Sequence, residues 1–239
     1  IWRLSSPIRP GGNAPVSLLL ISHRDALLGI KRRSDCCRSS VFSPMSPVPE
    51  KPTIFTIGHS NHPIDTFIDM LKVAEIDSVA DVRSVPYSKR HPQYRKDELA
   101  ARLRGEEIAY VFLGKELGAR PDDPNCYVDG RVVYDRIAAT SAFDEGLRRV
   151  EEGASRLRIA LMCAEREPLD CHRTLLVSRH LIRRGVLIRH ILVDGALEPG
   201  EEAEARLATA MGLEDDDLFL DPAARIEEAY RLVTGGLSR

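Results

Sequence analysis

The sequence has no long apolar run and no large excess of either charge. Its longest apolar stretches, such as residues 16–21, fall well short of the roughly 18 to 20 residues that a membrane-spanning helix requires. The formal net charge is −2, which gives the chain as a whole no electrostatic attraction for nucleic acid. We therefore expect no membrane partner, and any nucleic-acid binding has to come from a local basic patch.

The sequence also lacks a disulfide framework. Its five cysteines are irregularly spaced, whereas small secreted proteins carry dense and usually even sets. With 43% hydrophobic and 29% charged residues among 239, the composition is typical of a soluble globular protein with one large or two small domains. These features predict a cytoplasmic protein.

Residues 1–51 show neither helical nor strand periodicity. Until Met45 the region is rich in Pro, Gly, Ser and Arg, and the first convincing strand follows soon after. We expect 1–51 to be a disordered extension or the product of a gene start placed too far upstream, with Met45 as the true start. Cys36 and Cys37 would then have no functional role.

Short apolar runs alternate with helical patterns from residue 53 onward. Strands are predicted at 53–58, 78–82, 108–113, 158–162 and 186–193. Helices are predicted from Pro63, around Leu99 and Leu103, across 137–150 and over 171–184. The alternation predicts an α/β fold, a mostly parallel sheet flanked by helices in Rossmann-like layers. Residues 52–195 should form the core domain and 196–239 a small helical appendage.

Polar residues follow three of these strands at the point where each strand ends. In open parallel sheets, ligands bind beyond the carboxyl ends of the strands. The loops that begin at residues 58, 83 and 163 should therefore meet at one edge of the sheet. This edge would bring together Gly58, His59, Ser60, Asp81, Arg83, Cys163, Glu165, Cys171, His172 and Arg173.

Cys171 is a candidate nucleophile. If Asp170 caps the following helix, the Cys171 thiol lies in the first turn, where the helix dipole and the neighbouring His172 and Arg173 favour the thiolate. The same helix end can bind a phosphate, sulfate or carboxylate, with Arg83 and Arg173 as forked partners. The structural alternative is that Arg173 forms a buried ion pair with an acidic neighbour.

Other residues near this segment have weaker assignments. Cys163 ends an apolar strand, so it is a second candidate thiolate, a partner of Cys171 in a disulfide, or a small buried side chain. Glu165 and Asp81 can serve as general acid and base, or can simply bind backbone groups and arginine. His59 is a substrate-binding candidate because Gly58 lets the backbone approach a ligand closely.

A metal site and a nucleic-acid site are the remaining alternatives. Cys163, Cys171, His172 and His59 are acceptable zinc ligands, but adjacent Cys and His are awkward for chelation, so no metal ligand and no cofactor are assigned. The loop 86–96 mixes Tyr with Lys, Arg and His, a pattern that can follow a phosphate backbone and stack bases, close over the edge as a lid, or remain a solvated loop.

Three stretches resemble the domain of unknown function 488 family. They are TIGHSNHPIDTFIDML, DVRSVPYSKRHPQY and LMCAEREPLDCHRTLLVSRHLIRRGVLIRHI, in this order within 53–193. The resemblance implies that Gly58, His59, Ser60, Asp81, Arg83, Cys163, Glu165, Cys171, His172 and Arg173 match the motif positions of the family, without implying a reaction. A looser similarity in layout is to rhodanese-like domains, but the loop after Cys163 is long and acidic, unlike a short anion-cradling loop.

The sequence thus leads to three hypotheses. The first is a cytoplasmic enzyme that acts on a phosphate-bearing or other anionic substrate through the Cys, Glu, His and Arg side chains at the strand ends. The second is a nucleic-acid or nucleotide-binding module without catalysis, and the third is a metal-stabilised structural domain.

Overall fold

The computed structural model describes residues 51–213 and 221–237. The expectations for residues 1–50, including the start at Met45 and the roles of Cys36 and Cys37, lie outside the described residues. No helix in the described ranges is both long enough and apolar enough to cross a bilayer.

The strands lie close to their predicted positions. They are β1 (Thr53–Gly58), β2 (Ser78–Asp81), β3 (Ala109–Phe112), β4 (Tyr127–Val128), β5 (Arg131–Val132), β6 (Ile159–Cys163), β7 (Leu187–Ile191) and β8 (Leu197–Pro199). The short hairpin β4–β5 and the strand β8 were not predicted. Each is only two or three residues long, too short to show a period-2 pattern.

Six strands form one sheet in the order β3-β2-β6-β1-β7-β8. All neighbouring pairs are parallel except β7 and β8. β6 is therefore central, between β2 and β1, and every residue of β2 and β6 is buried, as expected for a strand covered on both faces. The carboxyl ends of β2, β6 and β1 thus lie side by side.

Helices cover both faces of the sheet, which confirms the predicted α/β class. They are α1 (Ile64–Val73), α2 (Lys96–Arg104), α3 (Gly114–Leu117), α4 (Tyr134–Ala138), α5 (Ser141–Ala154), α6 (Arg179–Arg183), α7 (Gly200–Ala210) and α8 (Pro222–Leu237). Pro63 lies at the N-cap position of α1, one residue before its first turn. Alternation along β6 sends Ala160 and Met162 to the core under α1 and α2, and Leu161 and Cys163 to the core under α5 and α6.

The segment that was predicted as one helix over 171–184 begins differently. A 3-10 turn, Pro168–Asp170, comes first, and Cys171 is extended. Six residues, Arg173–Ser178, then form π-helical turns that continue into α6. Asp170 belongs to the 3-10 turn and does not cap the helix. The Cys171 sulfur takes that place, since it accepts a hydrogen bond from the Arg173 backbone N–H at 3.5 Å.

The predicted helical appendage contains two helices, α7 and α8. They enclose a small apolar cluster with the π-helical segment, formed by Leu175, Leu207, Ala208, Ala229 and Tyr230. β8 pairs with β7, so the expected domain boundary at residue 195 falls between two paired strands.

Candidate functional site

Two adjoining cavities lie along the carboxyl edge of the sheet, and together they are called here the cleft. Arg83, Val85 and Ala164 line both of them. The first cavity, about 670 Å³, is called here the basic end, and its other lining residues are His59, Ser60, Asn61, Tyr87, Ser88, Lys89, Arg90 and His91. The second, about 390 Å³, is called the thiol end, and its other lining residues are Ser84, Ala119, Arg120, Val132, Tyr134, Cys163, Glu165, Asp170, Cys171 and His172.

Asp81 and Arg83 form a buried, forked ion pair between the two ends. The Arg83 Nε donates to Asp81 Oδ1 at 2.9 Å and its Nη2 donates to Oδ2 at 2.6 Å. The Arg83 backbone N–H and the Tyr110 hydroxyl also donate to this carboxylate, at 3.1 and 2.7 Å. Asp81 is 0% exposed. The sequence left Asp81 as a general acid or base or as a partner of backbone groups and arginine; in the structure its carboxylate accepts four hydrogen bonds and holds Arg83 in place.

His59 lies on the basic side of Arg83 as a neutral imidazole. Its Nε2 is 3.2 Å from Arg83 Nη1, and its Nδ1 is 2.9 Å from the Ser60 carbonyl oxygen. Since a guanidinium only donates, Nε2 accepts and Nδ1 carries the proton. Burial, and then the charge of Arg83, lower the pKa of His59 to about 4. The ring stacks on Tyr94 at 4.2 Å between centroids.

Four side chains meet at the thiol end. The Cys163 sulfur is 3.3 Å from Glu165 Oε2 and 3.6 Å from His172 Nδ1. The Cys171 sulfur is 4.0 and 3.9 Å from the same two atoms. His172 Nε2 is 2.9 Å from the Val82 carbonyl oxygen, so Nε2 donates and Nδ1 faces the sulfur atoms.

The two thiols are electrostatically unlike. A hydrogen bond with Cys171, burial and the charge of Glu165 raise the pKa of Cys163 well above its usual value. Burial also acts to raise the pKa of Cys171, but hydrogen bonds from Cys163 and His172 and the charge of Arg173 outweigh it and lower that pKa. Burial acts to lower the pKa of His172, but its contacts with Cys171, Val82 and Glu165 raise it. Cys171 is therefore the sulfur favoured as a thiolate.

Gly58 and Arg173 hold the loop that carries Glu165. A Cβ atom on Gly58 would lie 1.9 Å from the Glu165 carbonyl oxygen, so only glycine lets the loop approach β1 this closely. Arg173, 0% exposed, donates to the carbonyl oxygens of Glu165 and Arg166 at 2.7 and 3.3 Å. Neither Gly58 nor Arg173 lines either of the two cavities. At Gly58 the close neighbour of the backbone is thus the loop of Glu165 and not a ligand. The Arg173 guanidinium binds two carbonyl oxygens of this loop, where the sequence predicted an anion or a carboxylate.

His59 and Ser60 are tied to the same loop from the other side. The His59 N–H donates to the Cys163 carbonyl oxygen at 2.9 Å, and the Ser60 N–H donates to that of Ala164 at 3.0 Å. These bonds extend the β1–β6 pairing beyond the strands. The basic end and the thiol end consequently share one backbone framework.

In the basic-aromatic loop 86–96, Lys89 and Arg90 are exposed to solvent, but only one of the two tyrosines is. Tyr94 is buried against His59 and Phe67, and its hydroxyl donates to the His62 carbonyl oxygen at 3.0 Å. Tyr87 is 55% exposed, with the Arg95 guanidinium 4.8 Å from its ring centroid. The base-stacking role suggested for this loop is therefore open to Tyr87 alone, whereas Lys89 and Arg90 are exposed at the cavity.

Three residues near the site were missed in the sequence. Tyr110 binds Asp81, as described above, and Arg120 and Tyr134 line the thiol end. Burial, and then the charges of Cys171, Cys163 and Glu165, raise the pKa of Tyr134 to about 12. For Tyr110, the sequence signal that was available is the period-2 alternation of the third predicted strand, 108–113. Arg120 and Tyr134 had none, because the β4–β5 hairpin between them is too short to be recognised.

The thiol end also contains a possible set of metal ligands. The sulfur atoms of Cys163 and Cys171 and one ring nitrogen of His172 all lie within 4.8 Å of one another. Adjacent Cys and His were expected to be awkward for chelation. The extended backbone at Cys171, followed by helical backbone at His172, turns both side chains toward Cys163.

Comparison with known proteins gives one match. Neither a curated protein nor a solved structure matches the chain. Residues 63–180, which contain Asp81, Arg83 and the whole segment from Cys163 to Arg173, match the model of the family described as Domain of unknown function DUF488. Gly58, His59 and Ser60 lie before the matched segment. On this match, residues 63–180 of the chain belong to the DUF488 family.

Proposed function

We propose that this protein is a cytoplasmic enzyme that acts on a phosphate-bearing or other anionic substrate. The observation that carries the proposal is that a basic cavity and a thiol-lined cavity share Arg83 as part of their walls. An anionic group placed among Lys89, Arg90 and Arg83 positions the rest of the substrate toward the sulfur atoms. Positioning of this kind is a large part of enzymatic rate enhancement.

Each side chain of the thiol end has a chemical role in this proposal. Cys171 supplies the thiolate, which the helix N-terminus and the Arg173 backbone N–H support. Glu165 and His172 carry protons to and from the reacting group, since both contact the sulfur atoms. Asp81 and Arg173 act indirectly, because one orients Arg83 and the other holds the loop of Glu165.

Free thiols are required for this chemistry, which is the reason for proposing a reducing compartment. Cys126, Cys163 and Cys171 are all free in the described residues. The sulfur atoms of Cys163 and Cys171 are close enough that an oxidising environment would favour pairing them.

A thermal-shift screen with phosphorylated metabolites tests the proposal first, because a ligand that binds the native state raises the melting temperature. Turnover of each compound that binds is then measured with Cys171→Ser and Cys163→Ser, and with Cys126→Ser as the control, since Cys126 lies outside both cavities. We expect Cys171→Ser to abolish turnover and Cys126→Ser to leave it unchanged. Full turnover in both active-site variants would refute the thiol mechanism.

A Lys89→Ala/Arg90→Ala double variant tests the basic end. We expect weaker substrate binding with little change in turnover at saturation, because these side chains contact the anion and lie away from the sulfur atoms. Single-stranded oligonucleotides serve as the comparison ligand. Tight, salt-dependent oligonucleotide binding without any turnover would favour the binding-module hypothesis instead.

A further inference from the structure

We propose that the thiol end binds one zinc ion through Cys163 Sγ, Cys171 Sγ and His172 Nδ1, with a fourth coordination position open to the cleft. Thiolate and imidazole are the donors that zinc prefers in proteins, and three protein ligands with one open position are typical of catalytic zinc sites. This inference rests on the proposed function for the anionic substrate and its cavities, but it makes Cys171 a zinc ligand where the metal-free protein would use it as a free thiolate.

The distances between donor atoms fit this assignment. With Zn–S of about 2.3 Å and Zn–N of about 2.0 to 2.1 Å, tetrahedral coordination places sulfur and nitrogen about 3.5 Å apart. The corresponding distances are 3.6 Å from Cys163 Sγ to His172 Nδ1 and 3.9 Å from Cys171 Sγ to the same atom. The three donors therefore need shifts of only a few tenths of an ångström along these two edges.

The surroundings of the ligands also fit a metal site. The Val82 carbonyl oxygen, 2.9 Å from His172 Nε2, fixes the ring so that Nδ1 faces the sulfur atoms, the arrangement that commonly orients a metal-bound histidine. The Arg173 backbone N–H donates to Cys171 Sγ, which suits a sulfur with full negative charge. Arg173 and Gly58 hold the adjoining loop rigidly against β1.

Glu165 is a carboxylate close to two of the proposed ligands. Its Oε2 lies 3.3 Å from Cys163 Sγ and 4.0 Å from Cys171 Sγ, and Glu165 lines the same cavity as the three ligands. Zinc binding replaces the protons of the ligands, which leave to solvent as the two sulfur atoms become thiolates. In the zinc form Cys163 and Cys171 are ligands and not nucleophiles. Glu165, which contacts the sulfur ligands, would then hold or move a proton beside the metal.

Cobalt substitution tests this site without any knowledge of the substrate. The full chain is used with Cys36→Ser and Cys37→Ser, so that these two cysteines outside the described residues cannot bind metal. Metal-free protein is titrated with cobalt chloride and then with zinc chloride. We expect one cobalt ion per chain, a thiolate-to-cobalt charge-transfer absorption, and its loss on stoichiometric addition of zinc.

Single substitutions assign the ligands. Cys163→Ser, Cys171→Ser and His172→Asn should each weaken cobalt binding at least about tenfold, while Cys126→Ser and Glu165→Gln should retain one bound ion. Absence of the charge-transfer absorption in the parent protein, or an unchanged affinity for cobalt in both single Cys→Ser variants, would overturn the inference. In that case, loss of turnover in Cys171→Ser would still leave the proposed function standing with a free thiolate.

Protection from alkylation gives a second measurement that does not depend on how the variants fold. Metal-free parent protein is treated with iodoacetamide in the presence or absence of zinc chloride, and the labelled cysteines are identified by mass spectrometry. We expect zinc to protect Cys163 and Cys171 together and to leave the labelling of Cys126 unchanged. Equal labelling of all three cysteines with and without zinc would contradict the site.

Discussion

Arg83 Nη1 donates a hydrogen bond to His59 Nε2 over 3.2 Å, and this contact joins the buried ion pair to His59 at the basic end of the cleft. The same guanidinium is held by both oxygens of Asp81. His59 therefore has to be neutral for the arrangement to persist. Protonation of Nε2 would remove its lone pair and place two cations side by side.

Stability should consequently fall as the pH is lowered through the range in which His59 titrates. Its pKa is about 4 in the folded protein and 6.5 in the unfolded chain, so between these values the unfolded state binds more protons. The stabilisation is complete above pH 6.5 and is lost as the pH falls toward 4. The charged groups that act on His59 are Arg83, Asp81 and His91.

Urea unfolding of the parent protein and of His59→Gln, at pH 7 and at pH 4.5, isolates this effect from that of other histidines. We expect the parent to lose on the order of 2 kcal/mol more than the variant between the two pH values. An equal loss in both proteins would show that His59 is not the titrating group.

Replacing Gly58 with Ala should disrupt the thiol end from a distance. The new methyl group would collide with the Glu165 carbonyl oxygen, so the loop or β1 has to move. We expect the free energy of unfolding to fall by about 1 to 3 kcal/mol. We expect turnover and metal binding to decrease as well.

Gly105→Ala is the matched control for Gly58→Ala. Gly105 ends α2 in a helical conformation, and its nearest neighbour would lie 3.4 Å from the added carbon atom. This variant should keep its stability or gain about 0.5 kcal/mol. If the two glycine variants behave alike, close approach of the loop is not what Gly58 provides.

The Asp81→Asn variant should be much less stable than the small change in its side chain suggests. The Arg83 guanidinium would be left buried without its counter-ion, at a cost of about 3 to 5 kcal/mol. Tyr110→Phe removes one hydrogen bond to the same carboxylate and should cost about 1 kcal/mol. Glu145→Gln, in an exposed pair with Arg148, should cost less than about 1 kcal/mol. A ranking by urea unfolding in any other order would contradict this account of the pair.

Sequence patterns were sufficient to predict which segments meet. The apolar runs of β1, β2 and β6 and the helices between them imply parallel pairing, and parallel pairing places the three following loops at one edge. Period-2 alternation along β6 also places Cys163 on the face that the helix after Cys171 covers.

Side-chain directions in the irregular segments were not predictable in the same way. Arg173 has the same local sequence whether it binds an anion or two carbonyl oxygens, and the choice depends on where the loop at Glu165 lies. That position depends in turn on the approach to Gly58. Asp170 is a good helix cap by residue type, but the 3-10 turn that contains it leaves the cap position to Cys171.

The anion dependence of cysteine alkylation tests most directly whether an anion site and a reactive thiol belong to one cleft. Metal-free protein is treated with iodoacetate, which is anionic, and with neutral iodoacetamide, and the rate of labelling at Cys171 is measured with and without inorganic phosphate. We expect iodoacetate to be favoured at Cys171 relative to Cys126, and phosphate or the Lys89→Ala/Arg90→Ala change to remove that preference. Labelling of Cys171 that shows no preference for iodoacetate and no response to phosphate would contradict the account.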